Sequence, residues 1–141
     1  MNVNGIERKP GWEDILAGRI SGASKLSYEI GVHDCVIFVA ETLAEISPHD
    51  FTSVFKNKYK TRKGSLRVIG KYGKTLLEAV SNVINREPLN PRFFSRGCPV
   101  IIKDENGLEH VGICLGEQSA FLGEDGLSYV KTLDCIAVWR I

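Results

Sequence analysis

Residues 98–116, CPVIIKDENGLEHVGICLG, decide the fold class that the sequence predicts. Two apolar runs in this stretch flank the dipeptide Asn106-Gly107, which is typical of a tight hairpin turn. Three more strand-like runs follow and are separated by glycines: SAFLG (119–123), LSYV (127–130) and CIAVWRI (135–141). We therefore predict an antiparallel sheet of about five strands over residues 98–141.

The chain before this sheet has the periodicity of helices. After Asp34, apolar residues recur at three- and four-residue steps, at Val36, Val39, Ala40, Leu43 and Ile46. Pro48 ends this pattern, and shorter helical patterns occupy residues 12–20, 50–55, 65–72 and 75–84. Helices followed by an antiparallel sheet predict an α+β fold in which the N-terminal helices pack on the sheet.

Length and composition limit the classes of protein that are possible. A chain of 141 residues fits one domain, so we assign residues 1–141 to a single domain. No apolar run approaches the roughly 18 residues of a membrane span, so we expect no membrane-spanning segment. Pro10 and acidic residues stand where a signal peptide would have its apolar run. We therefore expect no secretory signal.

The four cysteines, at positions 35, 98, 114 and 135, form no Cys-x-x-Cys pair. Their spacing thus does not indicate a zinc knuckle or a thioredoxin-like motif. Three of them lie in apolar or strand-like runs, where cysteine usually behaves as a small hydrophobic residue. Cys35 is different because it stands at the predicted start of a helix.

Cys35 and His110 are the candidate catalytic residues. Cys35 follows Asp34, a good N-cap, so a helix dipole and free N–H groups would favour its thiolate and could hold an oxyanion. His110 begins a predicted strand and could act as the base. Only the fold can bring these distant residues together. The alternative is that Cys35 is a buried helix residue and His110 a surface residue.

Two motifs resemble those of the NlpC/P60 cell-wall peptidases, which have a papain-like fold. The segment YEIGVHDC (28–35) is similar to their Tyr-x-Trp-Gly…Asp-Cys motif, and RGCPV (96–100) with HVGICLG (110–116) resembles their Gly-Asp-x-Val and His-Val-Gly-Ile strands. The resemblance covers roughly residues 12–141. It implies that Cys35 is the nucleophile, that His110 is the base, and that Tyr28, Asp34 and His33 line the oxyanion and substrate site. It implies no metal and no cofactor.

The ending SAFLGEDGLSYV…AVWRI is similar to small phage and prophage proteins that form a divergent NlpC/P60-like group. This resemblance implies a cysteine peptidase or amidase that acts on peptidoglycan stem peptides. It also implies phage tail or baseplate proteins as partners, and location in the virion or, before assembly, in the host cytoplasm. The alternative is a weak or inactive relative that serves as a structural component of the tail tip.

The sequence departs from the family pattern at three positions. The third catalytic position, a polar residue on the strand after the histidine, falls near Leu122, and leucine cannot orient an imidazole. Gln118, Glu124 and Asp125 are the possible substitutes nearby. The family's Gly-Asp is Gly97-Cys98, and its tryptophan is Ile30.

Residues 56–74 form a basic segment. Eight lysines and arginines stand in these nineteen residues without an acidic residue, in a chain whose net charge is +1. The segment is either a surface that binds an anion or a solvated helical face. Tyr59 and Tyr72 do not form a stacking array, so we expect no specific nucleic-acid partner.

Overall fold

The computed structural model describes residues 2–3 and 5–141. Its helices precede an antiparallel sheet, which confirms the α+β prediction. None of the helices in the described ranges is both long and apolar enough to cross a bilayer. The helices are α1 (Trp12–Ala23), α2 (Cys35–Ile46), α3 (Thr52–Phe55), α4 (Arg62–Gly70) and α5 (Leu76–Ile84).

The described residues form two antiparallel sheets. A small one pairs β1 (Asn2–Val3) with β2 (Ile6–Glu7). The main sheet has five strands, as predicted, in the order β6-β5-β4-β3-β7, and every neighbouring pair is antiparallel. Its strands are β3 (Pro99–Lys103), β4 (Glu109–Cys114), β5 (Gln118–Gly123), β6 (Gly126–Lys131) and β7 (Ala137–Val138).

Helix α2 is the centre of the helical layer. Asp34 caps it, because its carboxylate accepts the backbone N–H of Ile37 at 3.0 Å. The helix ends at Ile46, where Ser47 adopts an extended conformation ahead of Pro48. Its buried side chains Phe38, Val39, Leu43 and Ile46 form one core with α1, α5 and the facing side of the sheet. Removing this apolar surface from water stabilises the fold.

The side chains of β4 enter different cores on the two faces of the sheet. Val111 and Ile113 are buried in the helix-side core, whereas Cys114 is buried with Val100 in a smaller cluster. Successive side chains of a strand alternate between its faces. His110 therefore projects from β4 on the same face as Cys114, away from the helices.

The segment after α3 packs on the loop that precedes α2. The backbone N–H of Asn57 donates to the carbonyl oxygen of Gly31 at 2.8 Å. Gly31 has a φ of +90°, and a Cβ added to it would overlap the carbonyl oxygen of Tyr59. Glycine is thus required here by its backbone conformation and by the close approach of another chain segment.

Candidate functional site

Asp34 fixes the loop that carries the candidate nucleophile. Besides capping α2, its carboxylate accepts the N–H of Gly31 at 2.9 Å and the hydroxyl of Tyr59 at 2.8 Å. The Asp34 side chain is buried, and all three bonds run to donors that would otherwise lack partners in the protein interior. This network holds the start of α2, and therefore the Cys35 backbone, in one position.

Cys35 is the first residue of α2, as the sequence predicts, and it is half-buried. The pKa of its thiol is nevertheless raised to about 11, the opposite of the predicted decrease. Burial is the largest cause, and the negative charge of Asp34 adds to it. The backbone N–H groups of Val36 and Val111 lower the pKa but do not offset those effects. The thiol is therefore protonated at neutral pH.

The pairing of β4 with β5 stops short of Val111. Strand β4 pairs with β5 only at Ile113 and Cys114, although β5 pairs with β6 along its whole length. The backbone N–H of Val111 interacts with the Cys35 sulfur. This N–H group, with that of Val36, supplies two backbone donors at the sulfur.

Tyr28 borders the same thiol. The pKa of its hydroxyl is raised to about 12, chiefly by burial and then by the nearby Cys35 and Asp34. Tyr28 therefore stays protonated and can donate a hydrogen bond. It also lines a cleft of about 310 Å³ between residues 24–28 and the β5–β6 turn, where Glu124 and Asp125 form the opposite wall. A small polar group can thus approach Tyr28 from solvent.

His110 forms a pair with Asp104. Its Nε2 atom lies 2.8 Å from Oδ2 of Asp104, and both side chains are partly exposed. An ionised carboxylate accepts hydrogen bonds and donates none, so Nε2 of His110 is the donor and carries the proton. Nδ1 is then the basic atom of the neutral ring. The bond from His110 is also the main cause that lowers the pKa of Asp104.

The structure does not join His110 to Cys35 by a hydrogen bond within residues 2–3 and 5–141. The thiol lies on the helix side of the sheet, whereas the pleat of β4 directs His110 to the other face. The connection between the two residues runs through the backbone of β4. His110 directly precedes Val111, whose N–H group interacts with the sulfur.

His33 and Asp34, which the resemblance places in the substrate lining, are both held by hydrogen bonds within the protein. Both side chains are buried. The ring of His33 donates from Nε2 to the carbonyl oxygen of Ala23, at 2.9 Å, and ties the loop to the end of α1. No three His, Cys, Asp or Glu side chains in the described part of the chain are grouped to hold a metal ion.

The carboxylate partner of the histidine is a residue that sequence reasoning missed. Leu122 is buried in the helix-side core, and neither Glu124 nor Asp125 bonds to His110 within the described ranges. Asp104 lies six residues before His110, in the turn between β3 and β4. The usable signal was the hairpin itself, because a turn at Asn106-Gly107 brings positions 104 and 108 together.

The helix side of the sheet thus holds a thiol at a helix N-terminus, backbone donors and a tyrosine hydroxyl, and the histidine–carboxylate pair lies on the other face of the same sheet. These are the groups that thiol-dependent acyl transfer uses. The chain is therefore an α+β protein with a candidate cysteine site between its central helix and its sheet. Residues 7–141 match the family model described as a domain of unknown function, DUF6950, and the chain belongs to that family. No curated protein matches the chain.

Proposed function

We propose that this protein is a cysteine hydrolase of the NlpC/P60-like, papain-like kind that cleaves amide bonds in peptidoglycan stem peptides, as part of a phage tail. Cys35 is its nucleophile and His110 its base. The observation that carries the proposal is the hydrogen bond of 2.8 Å between His110 and Asp104. His110 directly precedes Val111, whose backbone N–H interacts with the thiol. The bond to Asp104 fixes the tautomer of the proposed base, a role that the buried Leu122 cannot fill.

The high pKa of the thiol determines how the reaction begins. Because Cys35 is protonated at neutral pH, its proton leaves for Nδ1 of His110 as the sulfur attacks the carbonyl carbon. Because the structure has His110 on the other face of the sheet from the thiol, this step requires β4 to move and bring the ring to the sulfur. The N–H groups of Val36 and Val111 and the hydroxyl of Tyr28 then face the developing oxyanion.

The remaining steps return the enzyme to its starting state. The C–N bond breaks, and the imidazolium of His110 gives its proton to the leaving amine, which leaves a thioester on Cys35. A water molecule then attacks the thioester carbon and gives its proton to His110. The C–S bond breaks, the carboxylic acid is released, and the proton returns to the thiolate.

The test is digestion of purified peptidoglycan by the wild-type chain and by Cys35→Ala, with mass spectrometry of the soluble fragments. We expect amide cleavage by the wild type and none by Cys35→Ala. Cys135→Ala is the matched control, because Cys135 is a buried cysteine whose thiol pKa is also raised to about 11 but which lies in the smaller core. Equal cleavage by Cys35→Ala and the wild type would contradict the proposal.

A second candidate is a tail-tip or baseplate component that keeps this fold without catalysis. Two observations favour this alternative. The pKa of Cys35 is raised, and in the described part of the chain His110 makes no hydrogen bond to the thiol. Under this alternative, folded wild-type protein releases no fragments from peptidoglycan. It also gives no thioester on Cys35 when treated with an activated acyl ester.

A further inference from the structure

The basic segment has its apolar residues on the inside and its charges on the outside. Phe55, Tyr59 and Val68 are buried in one cluster with Ile37 of α2. Seven cations between residues 58 and 74 are exposed: Lys58, Lys60, Arg62, Lys63, Arg67, Lys71 and Lys74. We call this set the basic face. The buried cluster anchors the segment that carries it.

Little of the charge of the basic face is used within the protein: Arg62 acts on Tyr28, where it partly offsets the rise in the pKa of that hydroxyl. The ion pairs in the described ranges include none of its seven members, whereas the neighbouring Lys56 pairs with Glu41 at 2.7 Å. The chain has a net charge of only +1, so these cations are concentrated in one place. Such a concentration creates a positive potential that attracts a dense array of anions.

The charges on α4 act on the helix in both directions: Arg67 in its last turn is favourable, whereas the cations of its first turn are not. Arg62 and Lys63 occupy its first turn, and no acidic residue stands there. Cations near a helix N-terminus are unfavourable because they meet the positive end of the helix dipole. Helix α5 has the usual arrangement, with Glu78 in its first turn. The first turn of α4 therefore carries cations that helix stability alone does not explain.

The side chains among the cations indicate which anionic partner fits. Leu66 is 64% exposed in the middle of α4, next to Arg67. Tyr72, just after the helix, is 36% exposed. Exposed apolar groups surrounded by lysine and arginine are typical of surfaces that bind a bilayer interface. Five of the seven cations are lysines, which act as point charges and suit a diffuse layer of headgroups.

A nucleic acid is a poorer match to the same face. Tyr59 is buried and bonded to Asp34, so it cannot stack on a base. Tyr72 contacts Phe55 edge-on, with 6.1 Å between the ring centroids. No platform of aromatic rings is therefore available on the basic face, and Leu66 would have no apolar counterpart on a phosphate backbone.

We propose that the basic face docks the protein onto a bilayer rich in anionic phospholipid, with Leu66 in contact with the interface. This inference is independent of the hydrolase proposal, because it requires no chemistry at Cys35. It does bear on that site. The Asn57–Gly31 and Tyr59–Asp34 hydrogen bonds connect the basic segment to the loop that precedes α2 and leads to Cys35, which we call the nucleophile loop. Docking therefore holds the loop at a fixed distance from the membrane.

The experiment is co-sedimentation of the full chain with vesicles of phosphatidylcholine alone or of phosphatidylcholine with about one-third phosphatidylglycerol. We expect binding to the anionic vesicles at low salt, and little binding to the neutral ones. The triple variant Lys63→Glu/Arg67→Glu/Lys71→Glu should bind at least about tenfold more weakly. The matched control is Lys25→Glu/Arg92→Glu/Lys131→Glu, which reverses three exposed cations elsewhere and has the same net charge.

Leu66→Ser separates a bilayer from other polyanions. The substitution should weaken vesicle binding several-fold. The loss of binding should persist at high salt, because the substitution removes apolar contact and no charge. The proposal is overturned if the wild type binds neither kind of vesicle, or if the two triple variants lose binding equally. It is also overturned if a duplex DNA oligonucleotide binds while the anionic vesicles do not. Circular dichroism establishes that each variant is folded.

Discussion

His110 and Asp104 are hydrogen-bonded across the hairpin that joins β3 to β4, with 2.8 Å between Nε2 and Oδ2. The other carboxylate oxygen of Asp104 accepts the backbone N–H groups of Asn106 and Leu108, at 2.8 and 3.0 Å. The turn therefore fixes the position of the carboxylate independently of the His110 ring. A side chain held in this way can set both the tautomer and the angle of an imidazole.

Removal of this carboxylate tests its role as a positioning residue. Asp104→Ala should lower Cys35-dependent hydrolysis by roughly 10²- to 10⁴-fold, because the neutral ring loses its fixed tautomer. The measurement is the rate of release of peptidoglycan fragments, together with its pH profile. Glu105→Ala is the control, since it removes an exposed acid from the same turn. Equal loss in both variants would assign the effect to charge and not to orientation.

The reactivity of Cys35 should depend on pH according to its raised pKa. The thiolate is the reactive form, so alkylation by iodoacetamide should be slow at pH 8 and should still be rising at pH 10, because the pKa is about 11. Mass spectrometry of the Cys35 peptide gives the rate directly. A plateau near pH 8.5, the behaviour of a free thiol, would contradict the burial of the sulfur.

The same pKa predicts how stability changes in alkali. The folded protein holds the Cys35 proton more tightly than the unfolded chain, so this residue contributes stability below the ordinary thiol pKa. The contribution is lost as pH rises toward 11. Denaturant unfolding at pH 7 and pH 10 should therefore show a smaller alkaline loss in Cys35→Ala than in the wild type. Identical losses would exclude Cys35 as a contributor.

The Asp34 network should be coupled energetically. Asp34→Ala removes the cap of α2 and leaves the donors of Gly31 and Tyr59 buried without an acceptor, at a cost of about 3 kcal/mol in the free energy of unfolding. Tyr59→Phe should cost about 1–2 kcal/mol. A double-mutant cycle by urea denaturation should give less than the sum of the two. Strict additivity would mean that the bond contributes nothing.

Gly31 is required by geometry that can be tested directly. Gly31→Ala should destabilise the fold by more than about 3 kcal/mol, because the new Cβ overlaps the Tyr59 carbonyl oxygen at a φ of +90°. Gly107→Ala is the control: its φ is +80°, and an added Cβ meets no atom within 4 Å. It should cost about 1 kcal/mol. Thermal melts of both variants separate overlap from backbone strain.

Local patterns predicted most of the elements but not the pairings between distant side chains. The start of α2 at Cys35 followed from Asp34, since capping acts within three residues. Strand β7 is shorter than the run CIAVWRI suggested: Ala137 and Val138 pair with Ile101 and Val100 of β3, and residues 132–134 before it form a 3-10 helix. The burial of His33 depends on the end of α1, which no pattern near position 33 reveals.

The candidate site was predicted in part for a similar reason. Cys35 and Tyr28 share one loop, and their closeness could be read from the chain. The face of the sheet on which His110 projects depends on the register of β4, and a shift by one residue would reverse it. The pKa of Cys35 depends on how much protein surrounds the sulfur, and this outweighs the dipole of α2.

The close approach of Gly31 and Tyr59 has a consequence for the order of folding. The nucleophile loop can take its final shape only after a segment about 28 residues further along the chain has been synthesised and has docked, so its closure is a non-local event. A nascent or partly assembled chain would therefore lack a formed cysteine site. The same contact makes the amides of the loop a sensitive reporter of complete folding in hydrogen-exchange experiments.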